Sequence, residues 1–233
     1  AHIHFGRDII EVATFRGTDD GEGDRELDNG RLLRDNVYGT LEEDIFRRDF
    51  TANALYYNIG DFSVLDRVGG IADIQARHLR LIGEPAERFR EDPVRMMRAV
   101  RFAAKLDFRI DQQLLDLMPS MAPLLVDMPP ARLFDETGKM LLNGHALRSF
   151  DLLRECGLLA ELMPQVQRSL QGEAGCRSLE FIRTALADAD QRLAQGKTLT
   201  TGFILAVLLW QPATQLHQQL AAAGEEPSQA WLQ

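Results

Sequence analysis

The chain lacks several features that would place it in common classes of protein. It has no run of about 18 apolar residues, so the sequence predicts no membrane-spanning helix and no membrane partner. Its two cysteines, Cys156 and Cys176, form no CxxC pair, which favours a reducing compartment, and we expect a cytoplasmic protein. The sequence contains neither a P-loop nor a GxSxG nucleophile turn, which argues against the P-loop NTPases and the α/β-hydrolases.

The charge balance is acidic overall but basic in one region. A formal net charge of -9 argues against an extended nucleic-acid surface. Residues 77–109, however, contain nine Lys or Arg against five Asp or Glu. The basic residues are almost all arginine, the better bidentate ligand for phosphate. The sequence therefore leaves room for a local phosphate-binding surface, with solvated salt bridges as the alternative.

The pattern of apolar residues predicts an α+β chain of two parts. Residues 3–5 and 9–15 have strand composition, 17–30 resemble a loop, 41–58 have helical spacing, and 62–68 and 79–82 have strand patterns. Strand signals stop after Pro85. Helices are then predicted at 93–106, 111–118, 131–142, 145–156, 158–163, 178–194 and 200–210. We expect a mixed domain over residues 1–84 and an all-helical part over residues 85–233.

One pair of residues carries a specific chemical prediction. Asp92 and Arg95 are three residues apart at the start of a predicted helix, so they project from the same side of its first turns. A carboxylate accepts hydrogen bonds and a guanidinium only donates them. Together they match a base edge with an amino group beside an acceptor nitrogen, as in adenine or cytosine but not guanine or uracil. The alternative is a helix N-cap with an ordinary helical ion pair.

Further polar residues surround this pair in the sequence. Arg98 and Arg101 continue the helical spacing after Arg95, and such a row of guanidinium groups suits a triphosphate or an RNA backbone. The segment at residues 47–57 carries Arg48, Asp49 and Asn53, which could contact phosphate and ribose. For that segment, a polar network within the fold is an equally good interpretation.

Glu11 is the one carboxylate with a setting that suggests a metal. It lies in an otherwise apolar strand at residues 9–15, and a buried carboxylate requires a partner, which can be a cation. A Glu on the solvent face of the strand is the simpler alternative. Two-metal nucleotidyl transfer requires several converging carboxylates, and in this sequence only Glu11 has a plausible setting for that role.

Six segments in order resemble one family of enzymes, the class II nucleotidyltransferases, which comprises bacterial poly(A) polymerases and CCA-adding enzymes. The resemblance covers residues 1 to about 165 and inclines towards the poly(A) polymerase branch. The segments are IIEVATFR (9–16), RRDFTANALYY (47–57), DRVGGIAD (66–73), RLIGEP (80–85), REDPVRMMRAVRFAAKL (90–106) and PPARLFDE (129–136).

The resemblance implies a role for each candidate residue. It implies that the chain contains a partial palm sheet in a head domain, followed by a helical neck and body. Arg48 would contact the nucleotide, and Asp49 and Asn53 its sugar. Asp92 and Arg95 would read the base, and Arg98 and Arg101 would bind phosphates. The remaining positions are Glu11, which would support the metal site, and the pair Arg132 and Glu136, which would brace the pocket.

The implied reaction transfers AMP from ATP to the 3′ end of RNA, with Mg²⁺ as cofactor. The family's metal-binding aspartates belong to a DxD strand that this sequence does not contain, so we expect a fragment that is inactive alone. A CCA-adding tRNA nucleotidyltransferase is one alternative. The other is a non-catalytic relative that binds RNA or nucleotide.

Overall fold

The computed structural model describes residues 1–17, 27–28, 31–32 and 38–223. The chain divides into two compact units. The first comprises residues 1–76 and 80–83, and the second comprises residues 77–79 and 84–233. The mixed α and β character expected from the sequence is confirmed.

The first unit combines three antiparallel two-stranded sheets with short helices. The predicted hairpin at the start of the chain is present, and so is the strand near residue 64. Two residues of the predicted loop form a strand, and residues 18–26 and 29–30 of that loop lie outside the described residues. The elements are β1 (His2–Phe5), β2 (Asp8–Glu11), β3 (Leu27–Asp28), β4 (Arg31–Leu32), α1 (Leu41–Arg47), a 3₁₀ turn (Thr51–Asn53), β5 (Leu55–Asn58), β6 (Ser63–Asp66) and α2 (Gly70–Gln75).

The predicted continuous helix over residues 41–58 is wrong. Helix α1 ends at Arg47, and the backbone at Arg48 is extended. The next residues pair with another segment, because Phe50 bridges Leu81 and the Thr51 amide donates to the Arg80 carbonyl at 3.0 Å. Phe50 is fully buried by this arrangement. Burial and backbone pairing with a distant segment thus outweigh the helical spacing of the apolar residues.

Two carboxylates, those of half-buried Asp66 and buried Asp73, fix the turns of the first unit. Asp66 accepts hydrogen bonds from four successive backbone amides, those of residues 68–71, at 2.8–3.1 Å. Asp73 accepts from the Thr51 hydroxyl at 2.6 Å and from Arg80 Nε at 3.0 Å. Gly70 permits this close approach, since a Cβ at that position would lie 2.3 Å from the Thr51 carbonyl oxygen.

The second unit is built mainly from helices, and most predicted helices are confirmed within a few residues. Sequence reasoning missed α3 and α9, and it ended α11 too early because Pro212 lies inside that helix. The elements are β7 (His78–Leu79), α3 (Pro85–Glu91), α4 (Val94–Leu106), β8 (Arg109–Ile110), α5 (Gln112–Met121), a 3₁₀ segment (Ala122–Asp127), α6 (Pro130–Leu141), α7 (Ala146–Glu155), α8 (Leu159–Leu162), α9 (Pro164–Ser169), α10 (Gly172–Ala194) and α11 (Thr201–Ala222).

The expectation of an all-helical second part requires one correction. Strands β7 and β8 pair in parallel within this unit, His78 opposite Arg109 and Leu79 opposite Ile110. Leu79 is buried, so the pair contributes an apolar side chain to the helical core. The strand predicted at residues 79–82 is also shorter in the structure, because β7 ends at Leu79.

Helix α4 lies at the centre of the second unit and packs against α3, α6 and α7. Seven of its thirteen residues are buried, at the helical spacing of an apolar stripe. It begins after Pro93, a residue that ends the preceding helix and favours a new one. The polar residues predicted to read the base therefore lie at the start of the most buried helix.

Candidate functional site

Arg95 lies in the first turn of α4 and Asp92 lies two residues before that helix, and each side chain contacts a different partner. Asp92 Oδ2 accepts from Arg132 Nη2 at 2.9 Å, and Oδ1 accepts from the Val94 amide at 3.2 Å. Arg95 Nη1 donates to the Arg88 carbonyl at 2.7 Å and to Glu91 Oε2 at 2.8 Å. The side chains are 21% and 12% exposed, so partners within the unit hold both in defined positions.

A second ion pair joins α4 to α6. Arg101 Nε donates to Glu136 Oε2 at 2.8 Å, and both side chains are largely buried. Together with the contact between Asp92 and Arg132, this gives two ion pairs of opposite polarity between the α4 segment and α6. Arg132 and Glu136, the pair expected to brace the pocket, therefore each contact a residue of the α4 segment.

Arg98 lies between these two pairs on the same helix and is half-buried. It is one helical turn from both Arg95 and Arg101, so the three guanidinium groups follow the helix on neighbouring faces. The second unit thus contains four of the predicted nucleotide-binding residues, Asp92, Arg95, Arg98 and Arg101, on one segment of 10 residues.

The other three predicted nucleotide-binding residues belong to the first unit. Arg48 is fixed by its neighbours: Nε donates to the Tyr56 hydroxyl at 2.7 Å, Nη2 donates to Asp44 at 3.2 Å, and Nη1 donates to the Asn53 carbonyl at 2.9 Å. Its guanidinium also lies over the Tyr56 ring, 4.9 Å from the centroid. The network within the fold, which was the alternative interpretation of this segment, is present.

Asp49 precedes the 3₁₀ turn, and Asn53 is the last residue of that turn. Asp49 is only 8% exposed, and its backbone carbonyl accepts from the Ile82 amide at 2.8 Å. Asn53 is half-buried, and its backbone amide donates to the Phe50 carbonyl at 2.9 Å. The backbone pairing of residues 49–51 with residues 80–82, which follows the end of α1, therefore also fixes the position of Asp49.

Asp44 is the residue of this region that sequence reasoning missed. It accepts hydrogen bonds from the Tyr56 hydroxyl, from Arg48 and from the Arg16 amide. Burial alone would raise the pKa of Asp44, but these hydrogen bonds outweigh burial and lower the pKa. The spacing of four residues between Asp44 and Arg48 was the available signal.

Glu11 is exposed, in agreement with the simpler alternative of a Glu on the solvent face of the strand. Its side chain is 80% exposed, and its Oε1 lies 3.9 Å from His2 Nε2. Within the described residues, no cluster of three His, Cys, Asp or Glu side chains could hold a metal ion. The described residues therefore do not fit a magnesium site by themselves.

The sequence is similar to two family models. Residues 1–80 match the poly A polymerase head domain, and residues 107–170 match a model described as the probable RNA and SrmB-binding site of polymerase A. The poly(A) polymerase I of Salmonella typhi is 45% identical over 226 residues, which cover 95% of this chain and 49% of that protein. The multifunctional CCA protein of Nitrosomonas europaea is 45% identical over 130 residues, which cover 54% of this chain and 30% of that protein.

A solved structure supports the same relationship. The tRNA nucleotidyltransferase complexed with a primer tRNA and an incoming ATP analogue matches with a TM-score of 0.66 and 26% identity. The match covers 89% of this chain and 56% of that one. The chain belongs to the nucleotidyltransferase family of poly(A) polymerases and CCA-adding enzymes. It spans about half the length of the poly(A) polymerases that it matches.

The lowered pKa of Asp44 predicts a dependence of stability on pH. A carboxyl whose pKa is lower in the folded state stabilises the fold above its ordinary pKa of 3.8, and this contribution is lost as the pH falls through the folded-state value. Asp44→Asn should therefore flatten the fall in the free energy of unfolding below pH 4. Glu42→Gln, an exposed position in the same helix, is the control. Parallel profiles for the wild type and Asp44→Asn, measured by urea unfolding, would contradict this assignment.

Proposed function

We propose that the chain is part of a polynucleotide adenylyltransferase, which adds AMP from ATP to the 3′ ends of RNA. The observation that carries this proposal is the 45% identity with a poly(A) polymerase along 95% of the chain. The similarity to the CCA protein covers only 54%. Residues 1–84 would be the remainder of a head domain, and residues 85–233 a neck and body that contact RNA and nucleotide. None of the helices described here is both long and apolar enough to span a bilayer.

The proposed reaction requires no covalent intermediate on the enzyme. The 3′ oxygen of RNA forms a bond to the α-phosphorus of ATP as the bond from that phosphorus to the β-bridging oxygen breaks. Pyrophosphate leaves, and the attacking hydroxyl loses its proton. The enzyme's task is then to position the two reactants and to stabilise their charge.

Asp92 and Arg95 would select the base. Asp92 would accept from the adenine amino group, and Arg95 would donate to the adjacent ring nitrogen. Their contacts with Arg132 and with Glu91 and Arg88 hold the acceptor and the donor in place before a nucleotide binds, which lowers the entropic cost of binding. Cytosine presents the same edge, so this pair rejects GTP and UTP but does not separate ATP from CTP.

The remaining candidate residues would contact the rest of the nucleotide. We propose that Arg98 and Arg101 bind phosphates, and that Arg48, Asp49 and Asn53 contact the nucleotide and its ribose. Arg101 donates to Glu136 through Nε only, and its Nη groups make no hydrogen bond to any described residue. Magnesium dependence belongs to the same proposal, with Glu11 in a supporting position. The free cysteines Cys156 and Cys176 support a cytoplasmic location.

Primer extension by the full product of the gene tests the proposed reaction. With a labelled RNA oligonucleotide that is not a tRNA, and ATP as the only nucleotide, we expect long adenosine tails. Addition that requires CTP and stops after three nucleotides would instead identify a CCA-adding enzyme. Binding of ATP and RNA without any extension would identify the non-catalytic relative.

The base-reading assignment predicts the effect of two substitutions. Arg95→Ala and Asp92→Asn should each weaken ATP binding by roughly 10-fold or more, since a hydrogen bond to a charged group contributes about 1.5–3 kcal/mol. Both should also reduce the preference for ATP over GTP. Binding is measured by calorimetry, with circular dichroism as a check of folding.

Arg90→Ala is the matched control, because Arg90 is an exposed arginine of α3. It should leave both the ATP affinity and the discrimination against GTP unchanged. If Arg95→Ala and Asp92→Asn behave like Arg90→Ala in both respects, the assignment of the pair to the base edge is wrong.

A further inference from the structure

A polar cavity in the second unit shares only Arg101 with the predicted nucleotide-binding residues. It has a volume of about 360 Å³ and lies among α4, α6 and α7. Each helix, with its flanking residues, contributes two polar residues spaced four apart, which therefore lie on one helix face. These residues are Arg101 and Lys105, Lys139 and Asn143, and His145 and Ser149.

The cavity lining is cationic and contains no carboxylate. Two of its three cations form ion pairs with carboxylates that do not line the cavity. Arg101 pairs with Glu136 at 2.8 Å, and Lys139 pairs with Asp135 at 2.6 Å and Glu136 at 3.1 Å. Those two hydrogen bonds raise the pKa of Lys139, which keeps the ammonium group charged. The lining therefore retains its positive charge at neutral pH.

Lys105 is the cation of this lining for which the described residues provide no carboxylate partner. Its ammonium group makes no ion pair or hydrogen bond to any residue that the structure describes, although the side chain lines the cavity. His145 is half-buried in the same wall, and its imidazole also makes no hydrogen bond or ion pair in the described part of the chain. Lys and Arg side chains offer donors only, so the complementary ligand is an anion that accepts several hydrogen bonds.

We propose that this cavity binds a backbone phosphate of the RNA primer. The inference rests on the proposed function, and it specifies where the RNA strand contacts the second unit. Four of the six polar lining residues lie within residues 107–170, the segment whose family model is described as a probable RNA-binding site. Lys105 is at the opposite end of α4 from Arg95, about 15 Å along the helix axis. The cavity is therefore a second phosphate contact beyond the base-reading pair.

Equilibrium binding of a labelled single-stranded RNA to the chain tests this assignment. Losing one phosphate contact should lower the slope of log K against log salt by about 0.7, which corresponds to roughly fivefold weaker binding at 0.1 M salt. We expect this change for Lys105→Ala and for Lys139→Ala. Lys197→Ala is the matched control, because it removes the same charge from an exposed residue outside the cavity.

Binding of ATP by the same variants identifies the source of the phosphate. Unchanged ATP affinity alongside weaker RNA binding supports an RNA contact. Weaker ATP binding with unchanged RNA binding would overturn the proposal and assign the cavity to the triphosphate. If Lys105→Ala and Lys139→Ala both bind RNA as tightly as Lys197→Ala does, the cavity assignment is wrong, while the proposed function is unaffected. A wild-type chain that binds no RNA would overturn both this inference and the RNA-binding part of the proposed function.

Discussion

The contact between Arg101 of α4 and Glu136 of α6 is the interaction on which the second unit's polar site depends. A mostly buried guanidinium or a buried carboxylate destabilises the fold when it has no partner of opposite charge. Each of these two side chains therefore depends on the other. Because Asp92 and Arg132 form a second pair of reversed polarity, the α4 segment has only one register against α6 that satisfies both. The apolar face of α4 supplies the burial, and the two ion pairs select the alignment.

This alignment explains why the same side chains belong to both the fold and the proposed site. Asp92 and Arg95 are fixed by Arg132 and Glu91, and Arg101 retains donors beyond its contact with Glu136. In the first unit, Asp44 and Tyr56 fix Arg48 in a similar way. Ligand-contacting groups held by neighbouring residues bind with less loss of conformational entropy, which suits discrimination between similar bases.

Much of the second unit could be predicted because its signals are local. Pro93 marks the start of α4, and Asp111 caps α5 by accepting from the Gln113 amide, so both helices were found from the sequence. The region after Arg47 could not be predicted, because the pairing of Phe50 with Leu81 joins residues about 30 positions apart. Tertiary contact decides the conformation there, and helical spacing alone does not report it.

The candidate site shows the same limit. Spacing predicted Asp92 and Arg95 on the same side of one helix, whereas in the structure Asp92 has extended backbone between α3 and α4 and only Arg95 lies in α4. It did not reveal that Asp92 contacts Arg132 or that Arg101 contacts Glu136, since those partners lie on another helix. The apolar neighbours of Glu11 left a buried and a solvent-facing setting open, and two of those neighbours, Ile9 and Ile10, are themselves about half exposed.

A double-mutant cycle between Arg101 and Glu136 tests the central claim most directly. The free energy of unfolding is measured for the wild type, Arg101→Ala, Glu136→Ala and the double variant, with Arg77 and Asp107 as an exposed comparison pair. We predict a coupling energy of about 1–3 kcal/mol for the buried pair, above the roughly 0.2–1 kcal/mol of an exposed one. Effects that add to within about 0.5 kcal/mol would show that this contact does not align α4 with α6.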